Sequence, residues 1–399
     1  MKVSTLFILL TCVGCWRPTS WSTPLKIVIY SVYTLFFVGL SCVFVTTAIT
    51  KMFDVEDVDE FVDNTYLLVA LFVGCCKVLN VLAYRKKILN LVDTFLEEPC
   101  VASNTEEAQI QLIYDNRIWF VRSTRKSSIF SSIDEEYFRR KYAIHYTIMM
   151  ETTVGLIIFN SYTTNFQHRR LTYTTWVPYE CKTFLIFTLT FTLQMIYLLM
   201  QSLVHAASDV LFVGVLLQIC CQFDILLSRL SRISTSGKSN LQKLIRHHNC
   251  IYQLAEMTNS TLHLIIFSQF FGSFLVFCLS MVQLLNMDIV STQFLATISY
   301  LGAILVQNFI YCWFGNKVKL KSTDLSNAIF QSDWTDLTES TKKILLIVMS
   351  RTRSPIELDS AHVITVDLNF FMTVCDVVYT LFSMKLVTPV AELKLSMII

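Results

Sequence analysis

Seven stretches of about twenty residues, nearly free of charge, dominate this chain and limit what it can fold into. The hydrocarbon core of a bilayer is about 30 Å thick, a distance that a helix crosses in roughly twenty apolar residues. The stretches run from Ile27 to Thr50, Asn64 to Tyr84, Tyr142 to Tyr162, Thr183 to about Val204, Leu262 to Leu285, Phe294 to Gly315 and Leu368 to about Thr388. Composition supports the same reading. Hydrophobic residues make up 54% of the 399 positions and charged residues only 16%, against about 25% charged in soluble proteins. Thirty Phe, sixteen Tyr and six Trp are more apolar bulk than one soluble core of this size could hide. The expected fold class is all-α, a polytopic membrane protein with seven transmembrane helices.

Charge orients the spans. With the N-terminus inside, segments 1–26, 85–141, 205–261 and 316–366 are cytoplasmic and hold 25 of the 32 Lys and Arg. The outer segments keep Lys51, Arg169, Arg170, Lys182 and Lys394, and the first outer loop is acidic, with Asp54, Glu56, Asp57, Asp59, Glu60 and Asp63. The positive-inside rule then puts the N-terminus in the cytoplasm and the C-terminus outside. A G-protein-coupled receptor has the opposite orientation and helix-kinking prolines. Here Pro18, Pro24, Pro99, Pro178, Pro355 and Pro389 all fall in loops or at span ends.

The resulting organisation is a cytoplasmic amphipathic segment 1–26, spans one to four over 27–204, and cytoplasmic extensions of helices four and five over 205–261. Spans five and six follow over 262–315, then cytoplasmic anchor helices over 316–366, and the last helix with its tail over 367–399. Helices four and five are expected to outrun the membrane. Leu203, Leu211, Val215, Ile219, Leu226 and Leu230 continue the apolar periodicity, and no Gly or Pro break comes before SGKSN at 236–240. The opening MKVSTLFILLTCVGC has some look of a signal peptide, but no small-x-small cleavage site follows, and an amphipathic helix at the inner surface is favoured.

Little in the chain suggests chemistry. No GxGxxG or GxxxxGK[ST] occurs, and a net charge of +2 gives no reason to expect nucleic acid. The thirteen Cys fall mostly in apolar runs, where a thiol acts as a small hydrophobe. His247 and His248 point about 100° apart on a helix, which favours packing over metal binding. Asn259-Ser260-Thr261 is a glycosylation sequon on the cytoplasmic side. Charges inside spans each need a reason. Lys77 lies near the inner end of span two and can snorkel, whereas Glu151 is central in span three, facing either a wet cavity or a bundle partner. Asp376 is central in the last span. No Ser/His/Asp or paired-carboxylate arrangement stands out, so neither an enzyme nor a cofactor is expected.

From Tyr311 the pattern becomes specific. YCWFGNKVKLKSTDLSNAIFQSDWTDL and then KKILLIVMSRTRSPIELDSAHVITVDLNFFMTVCDVVYTLFSMKLV resemble the C-terminal third of insect odorant receptors. The matching positions are Cys312, Gly315-Asn316, Ser322, Ala328-Ile329, Ser332, Trp334, Lys343, Met349, Pro355, Leu358, Leu368, Phe371, Tyr379-Thr380 and Phe382. GCWRP at 14–18, WVPYE at 176–180, His248, Gln269 and Cys278 agree. The resemblance covers nearly the whole chain, most specifically 311–387. It implies seven spans, a cytoplasmic N-terminus and an anchor bundle, with four subunits around a cation pore lined by the outer half of the last helix. The family's shared co-receptor has a long insertion between helices four and five. Here only Arg232 to Asn240 separates them, which implies an odorant-tuning subunit that assembles with co-receptor subunits. Asp376 departs from the family, which often has Lys there.

The resemblance places a small volatile organic ligand in the outer half of the bundle, among helices two, three, four and six. Direction of travel then selects Val69, Phe72 and Val73; Thr153 and Ile157; Phe187, Phe191 and Met195; Tyr300 and Leu301. It also puts Met384 and Thr388 at the pore constriction. Leu381 and Lys385 complete that helix face, with Asp376 on its flank, paired to a neighbouring helix. The implied location is the plasma membrane of olfactory sensory neuron dendrites. A gustatory-type receptor channel is the alternative, although its Gln-Phe ending is missing. A secondary transporter would be expected to show internal repeats, and none is apparent.

Overall fold

The computed structural model describes residues 5–18, 21–53, 58–118, 142–172, 183–232, 238–286, 291–332, 334, 337–360, 364–377 and 379–380. In chain order its helices are α1 (Thr5–Cys12), α2 (Pro24–Met52), α3 (Val58–Ala83), α4 (Arg85–Thr94), α5 (Thr105–Ile118) and α6 (Tyr142–Ser161), which a π-helical turn prolongs over Tyr162–Phe166. Then come α7 (Phe184–Ser231), α8 (Lys238–Asn286), α9 (Thr292–Gln331) and α10 (Glu339–Thr352), and finally α11 (Leu368–Val377). Between α10 and α11 a pair of two-residue strands, β1 (Asp359–Ser360) and β2 (Ile364–Thr365), pairs antiparallel.

Among the described residues four helices are long and apolar enough to cross a bilayer: Pro24–Met52, Phe184–Ser231, the Leu241–Met281 part of α8, and Thr292–Gln331. A fifth candidate is Leu68–Ala83 with Arg85–Thr94, bent by 64° at Tyr84. α6 has the 20 residues a span needs but carries Glu151. α11 is the described part of the last stretch, and positions 381–399 lie outside the described residues.

At about 1.5 Å per residue, the 48 residues of α7 reach about 72 Å, more than twice the thickness of a bilayer core. The 49 of α8 and the 40 of α9 outrun it as well. Helices four and five each run on as one continuous helix, and helix six does too. Residues 316–331, read from sequence as separate anchor helix, continue α9 without a break.

α7 is the central column. From Val204 to Leu230 nearly every side chain is buried, including Phe212, Leu216, Ile219, Cys220, Cys221, Phe223 and Ile225. A helix apolar on all sides belongs inside other helices, and α1, α3, α5, α6, α8 and α9 all pack against it. α2 is the opposite case. It buries Tyr30, Phe37, Ser41, Phe44 and Ala48 on one stripe and leaves Leu35 and Phe36 73% and 64% exposed. That apolar face suits lipid.

The N-terminal segment departs from expectation. Instead of lying flat as an amphipathic helix, α1 and the turn after it fold into the protein, with Leu10, Val13, Cys15 and Trp16 buried. Gly14 turns the chain at φ +76°, a value that glycine adopts without strain. The Tyr30 hydroxyl accepts from the Trp16 N–H at 3.0 Å and donates to the Thr11 carbonyl at 3.2 Å. Local backbone bonding to α2 thus outweighs a surface position.

The specific C-terminal pattern turns out to be a packing seam. A Cβ on Gly315 would overlap the Val366 carbonyl, so only glycine lets α9 approach the strand leading into α11 so closely. The Ser322 hydroxyl accepts the Ile356 N–H at 3.0 Å. Asp367 caps α11 by accepting the Phe370 N–H at 2.9 Å. Lys319 bridges Glu357 at 2.8 Å and Asp367 at 3.2 Å. Asn259 of the sequon is engaged here as well, donating to the Asp359 carboxylate at 2.7 Å and accepting its N–H at 3.2 Å.

Candidate functional site: an apolar cavity above a buried ion pair

Five helices leave a cavity of about 110 Å³ between them. α3 lines it with Val69, Ala70, Leu71 and Val73, and α6 with Met150, Thr153, Val154 and Ile157. α7 adds Leu198, Gln201, Ser202 and His205; α8 adds Gln269, Gly272, Ser273 and Val276; α9 adds Tyr300, Ala303, Ile304 and Gln307. The wall is mainly apolar with a few placed polar groups, as small-molecule sites usually are. Gly272 is needed for this closeness, because a Cβ there would run into the Val73 side chain.

Five of the residues singled out in the sequence meet at this cavity: Val69, Val73, Thr153, Ile157 and Tyr300. The other five are placed elsewhere. Phe72 is 55% exposed, because the α3 turn that buries Leu71 and Val73 swings it about 100° away. Phe187, Phe191 and Met195 form a separate buried cluster with Ile158, Phe166 and Leu171. Phe166 meets Phe191 edge-on at 5.0 Å. From Phe191 to Ser202 is eleven residues, about 16 Å along α7, so the cavity lies lower on that helix than the aromatic stretch suggests. Leu301 packs with Val276, Phe277 and Leu284 in a neighbouring cluster. The contribution of α8, helix five, was not read from sequence at all. In the sequence Gln269 stands out only as a position that matches the family resemblance.

Beneath the cavity lies a charge pair. Lys77 Nζ stands 2.7 Å from Asp209 Oδ1, with side chains 0% and 1% exposed. Tyr311 donates to the same oxygen at 2.7 Å. Tyr146 and Gln307 each donate to Oδ2 at 2.5 Å. Burying two charges is costly unless geometry is good and the remaining lone pairs are satisfied, and here four donors serve one carboxylate. Lys77 therefore does not snorkel. Its partner sits on a part of α7 that the charge count assigned to the cytoplasm, and His205 of that segment lines the cavity. Gln307 connects pair and cavity, since it also accepts from Gln269 at 2.9 Å. Glu151 takes a bundle partner, accepting from Ser202 Oγ at 2.8 Å, and Ser202 in turn lies on the cavity wall.

Further along α7 the packing is polar. Arg229 donates to Glu107 at 2.9 Å and to the carbonyls of Pro99 and Val101 at 2.7 and 2.9 Å. Arg232 pairs with the other Glu107 oxygen. Burial would raise the Glu107 pKa, but the hydrogen bonds from Arg229, the Ser103 N–H and Arg232 overcome that and hold it below the usual carboxylate range. His247 is fully buried between Gln222 Oε1 at 2.8 Å and Arg229 Nη1 at 3.1 Å. Burial, reinforced by the Arg229 charge, pushes its pKa down to about 3. The histidine pair is thus packing, and no group of ligands able to hold a metal ion occurs among the described residues. Of the last helix, Asp376 is exposed and makes no ion pair among the described residues. Leu381, Met384, Lys385 and Thr388 lie outside them.

The family model described as 7tm Odorant receptor matches residues 57–379. Odorant receptor 33a of Drosophila melanogaster is 25% identical over 226 residues, which cover 55% of this chain and 60% of that one. Odorant receptor 46a, isoform A, of the same fly is 23% identical over 292 residues, 71% of this chain and 76% of the relative. In fold, the chain is similar to the insect olfactory receptor OR5 from Machilis hrabei, solved in complex with eugenol. The TM-score is 0.81 at 16% identity, covering 96% of this chain and 97% of that one.

Proposed function

The chain belongs to the 7tm odorant receptor family, whose model covers residues 57–379, and from that premise we propose that it is the odorant-binding subunit of a heteromeric, ligand-gated, non-selective cation channel. The observation that carries this reading is the apolar cavity lined by α3, α6, α7, α8 and α9. A small volatile molecule gains roughly 25 cal/mol for each Å² of apolar surface it buries, which a mainly apolar wall supplies. The structure of the insect olfactory receptor OR5 from Machilis hrabei is a complex with the small molecule eugenol, which supports a ligand of that size.

The remaining features follow the same premise. The chain crosses the membrane seven times, N-terminus inside and C-terminus outside, as its Lys and Arg distribution favours. The last helix lines the pore, with Leu381, Met384, Lys385 and Thr388 on the conducting face. A ring of apolar side chains closes such a pore by dewetting, and rotation of the ring outward on ligand binding opens it. The short connection from Arg232 to Asn240 supports an odorant-tuning role beside co-receptor subunits in a tetramer. The site of action is the plasma membrane of olfactory neuron dendrites. Expression with a co-receptor, followed by current recording against a volatile panel, tests the proposal. Odorant-evoked cation current that requires both subunits is the expected result, and equal current from this chain alone would overturn the heteromeric part of it.

A further inference from the structure

The geometry points to a ligand class: the cavity selects small molecules carrying a hydroxyl donor, an alcohol or phenol on an apolar skeleton, and binds that hydroxyl through the side-chain oxygen of Gln201 or of Gln269. This inference rests on the reading of the cavity as the odorant site.

The orientation of both amides is dictated by neighbours that can only accept. The Asp209 carboxylate is held by four donors, so Gln307 must turn its NH₂ toward it, as the 2.5 Å contact shows. The Gln307 oxygen then accepts from Gln269 Nε2 at 2.9 Å. The same Gln269 nitrogen faces Ser273 Oγ at 3.0 Å. Gln269 Oε1 is left with no partner among the described residues, on a side chain only 3% exposed. Gln201 reaches the same state independently. Its Nε2 donates to the Leu71 carbonyl at 3.4 Å, and its Oε1 is unpartnered at 4% exposure. It is also pinned in place, since a Cβ on Gly74 would fall on its amide.

Two buried acceptors on an apolar wall are a strong preference, because a buried polar atom without a partner is costly and a ligand that supplies the missing donor removes that cost. The hydroxyl hydrogens of Thr153, Ser202 and Ser273 on the wall are turned elsewhere. Thr153 donates to the Met149 carbonyl at 3.0 Å, Ser202 to Glu151 at 2.8 Å and Ser273 to the Gln269 carbonyl at 2.7 Å. An ether, ester or ketone brings acceptors only and sets oxygen against oxygen. An alcohol donates, and its carbon skeleton lies against Val69, Ile157 and Val276. A site built to bond a hydroxyl rejects the analogue that lacks it far better than an apolar site distinguishes one methylene.

The test compares matched pairs on cells expressing the chain with a co-receptor: an alcohol and its methyl ether, a phenol and its anisole. The hydroxyl member should reach half-maximal current at a concentration roughly three- to tenfold lower, the range of one hydrogen bond. Gln269→Leu or Gln201→Leu, whichever removes the oxygen that takes the hydroxyl, should close that gap by weakening the hydroxyl member, with both variants checked for surface delivery. Equal potency within every pair on the unaltered chain overturns the ligand class, whatever the variants do. Ile157→Trp and Val73→Trp, which fill the cavity, separate this from failure of the site itself. If they silence the responses while the pairs stay equal, only the class falls. If they leave every response intact, or the unaltered chain reaches the surface and answers nothing, the reading of the cavity falls and the class with it.

Discussion

Asp209 gathers four donors from three neighbouring helices, and its removal is the most informative single change at the residue scale. Asp209→Ala would leave Lys77 charged and buried with no counter-charge, along with Tyr146, Tyr311 and Gln307 without their shared acceptor. Breaking one side of such a pair costs about 3–5 kcal/mol. Thermal unfolding of purified protein should show a loss of that size. Lys77→Met should cost less than the sum predicts once Asp209 is already gone, because the two share one interaction. An additive double mutant would mean the pair is not coupled. His247 gives a pH signature. Its Nδ1 faces the Arg229 donor and its Nε2 donates to Gln222, so the folded protein holds it neutral. A histidine whose folded pKa is depressed to about 3 contributes stability that is complete above its unfolded value of about 6.5 and is lost as pH falls toward 3. Melting temperature should therefore decline from pH 7 to pH 5. The decline should be shallower in His247→Gln, and an unchanged slope would assign it to other groups. Neither partner was legible in sequence, where Lys77 read as snorkelling and Asp209 as cytoplasmic. Pairing 132 residues apart leaves no local pattern.

At the scale of elements, periodicity was enough to find the long helices. A periodic apolar run without Pro continues as helix through an isolated glycine, and α7 and α8 do so for 48 and 49 residues, past Gly214 and Gly272. Which face of each helix turns inward is a different question. On α7, Phe187 and Ser202 are both buried, but only Ser202 reaches the cavity. A helix apolar all round carries no moment to indicate its neighbours. The glycines test contact at this scale. Gly315→Ala puts a methyl group against the Val366 backbone, which cannot rotate away, and overpacking of that kind costs about 1–3 kcal/mol. Surface delivery and melting temperature should fall, and current with them, since α11 begins just beyond Val366. Gly39→Ala is the control, with open space around its Cβ position. It should behave as the unaltered chain. If both alanines are tolerated equally, the seam between α9 and the approach to α11 is not as tight as described.

For the molecule as a whole, the prediction concerns the pore. Cysteines placed at 381, 384, 385 and 388 should react with a water-soluble thiol reagent during odorant exposure, changing the current, whereas Phe382→Cys should not. Reaction at 382 with silence at the four would shift the register of the last helix. The sequence by itself determined the solvent this protein folds in, the long run of helices four and five and its family, because each is written in local composition, in sustained periodicity or in the run from Tyr311 onward. It could not determine which side chains share a space. The cavity draws its wall from five helices spread between residues 69 and 307, and the ion pair below it from two of them. Only tertiary packing fixes the rotation and depth of each helix against the others, and a shift of one residue, about 100°, is enough to move Phe72 out of the site while Leu71 and Val73 remain in it.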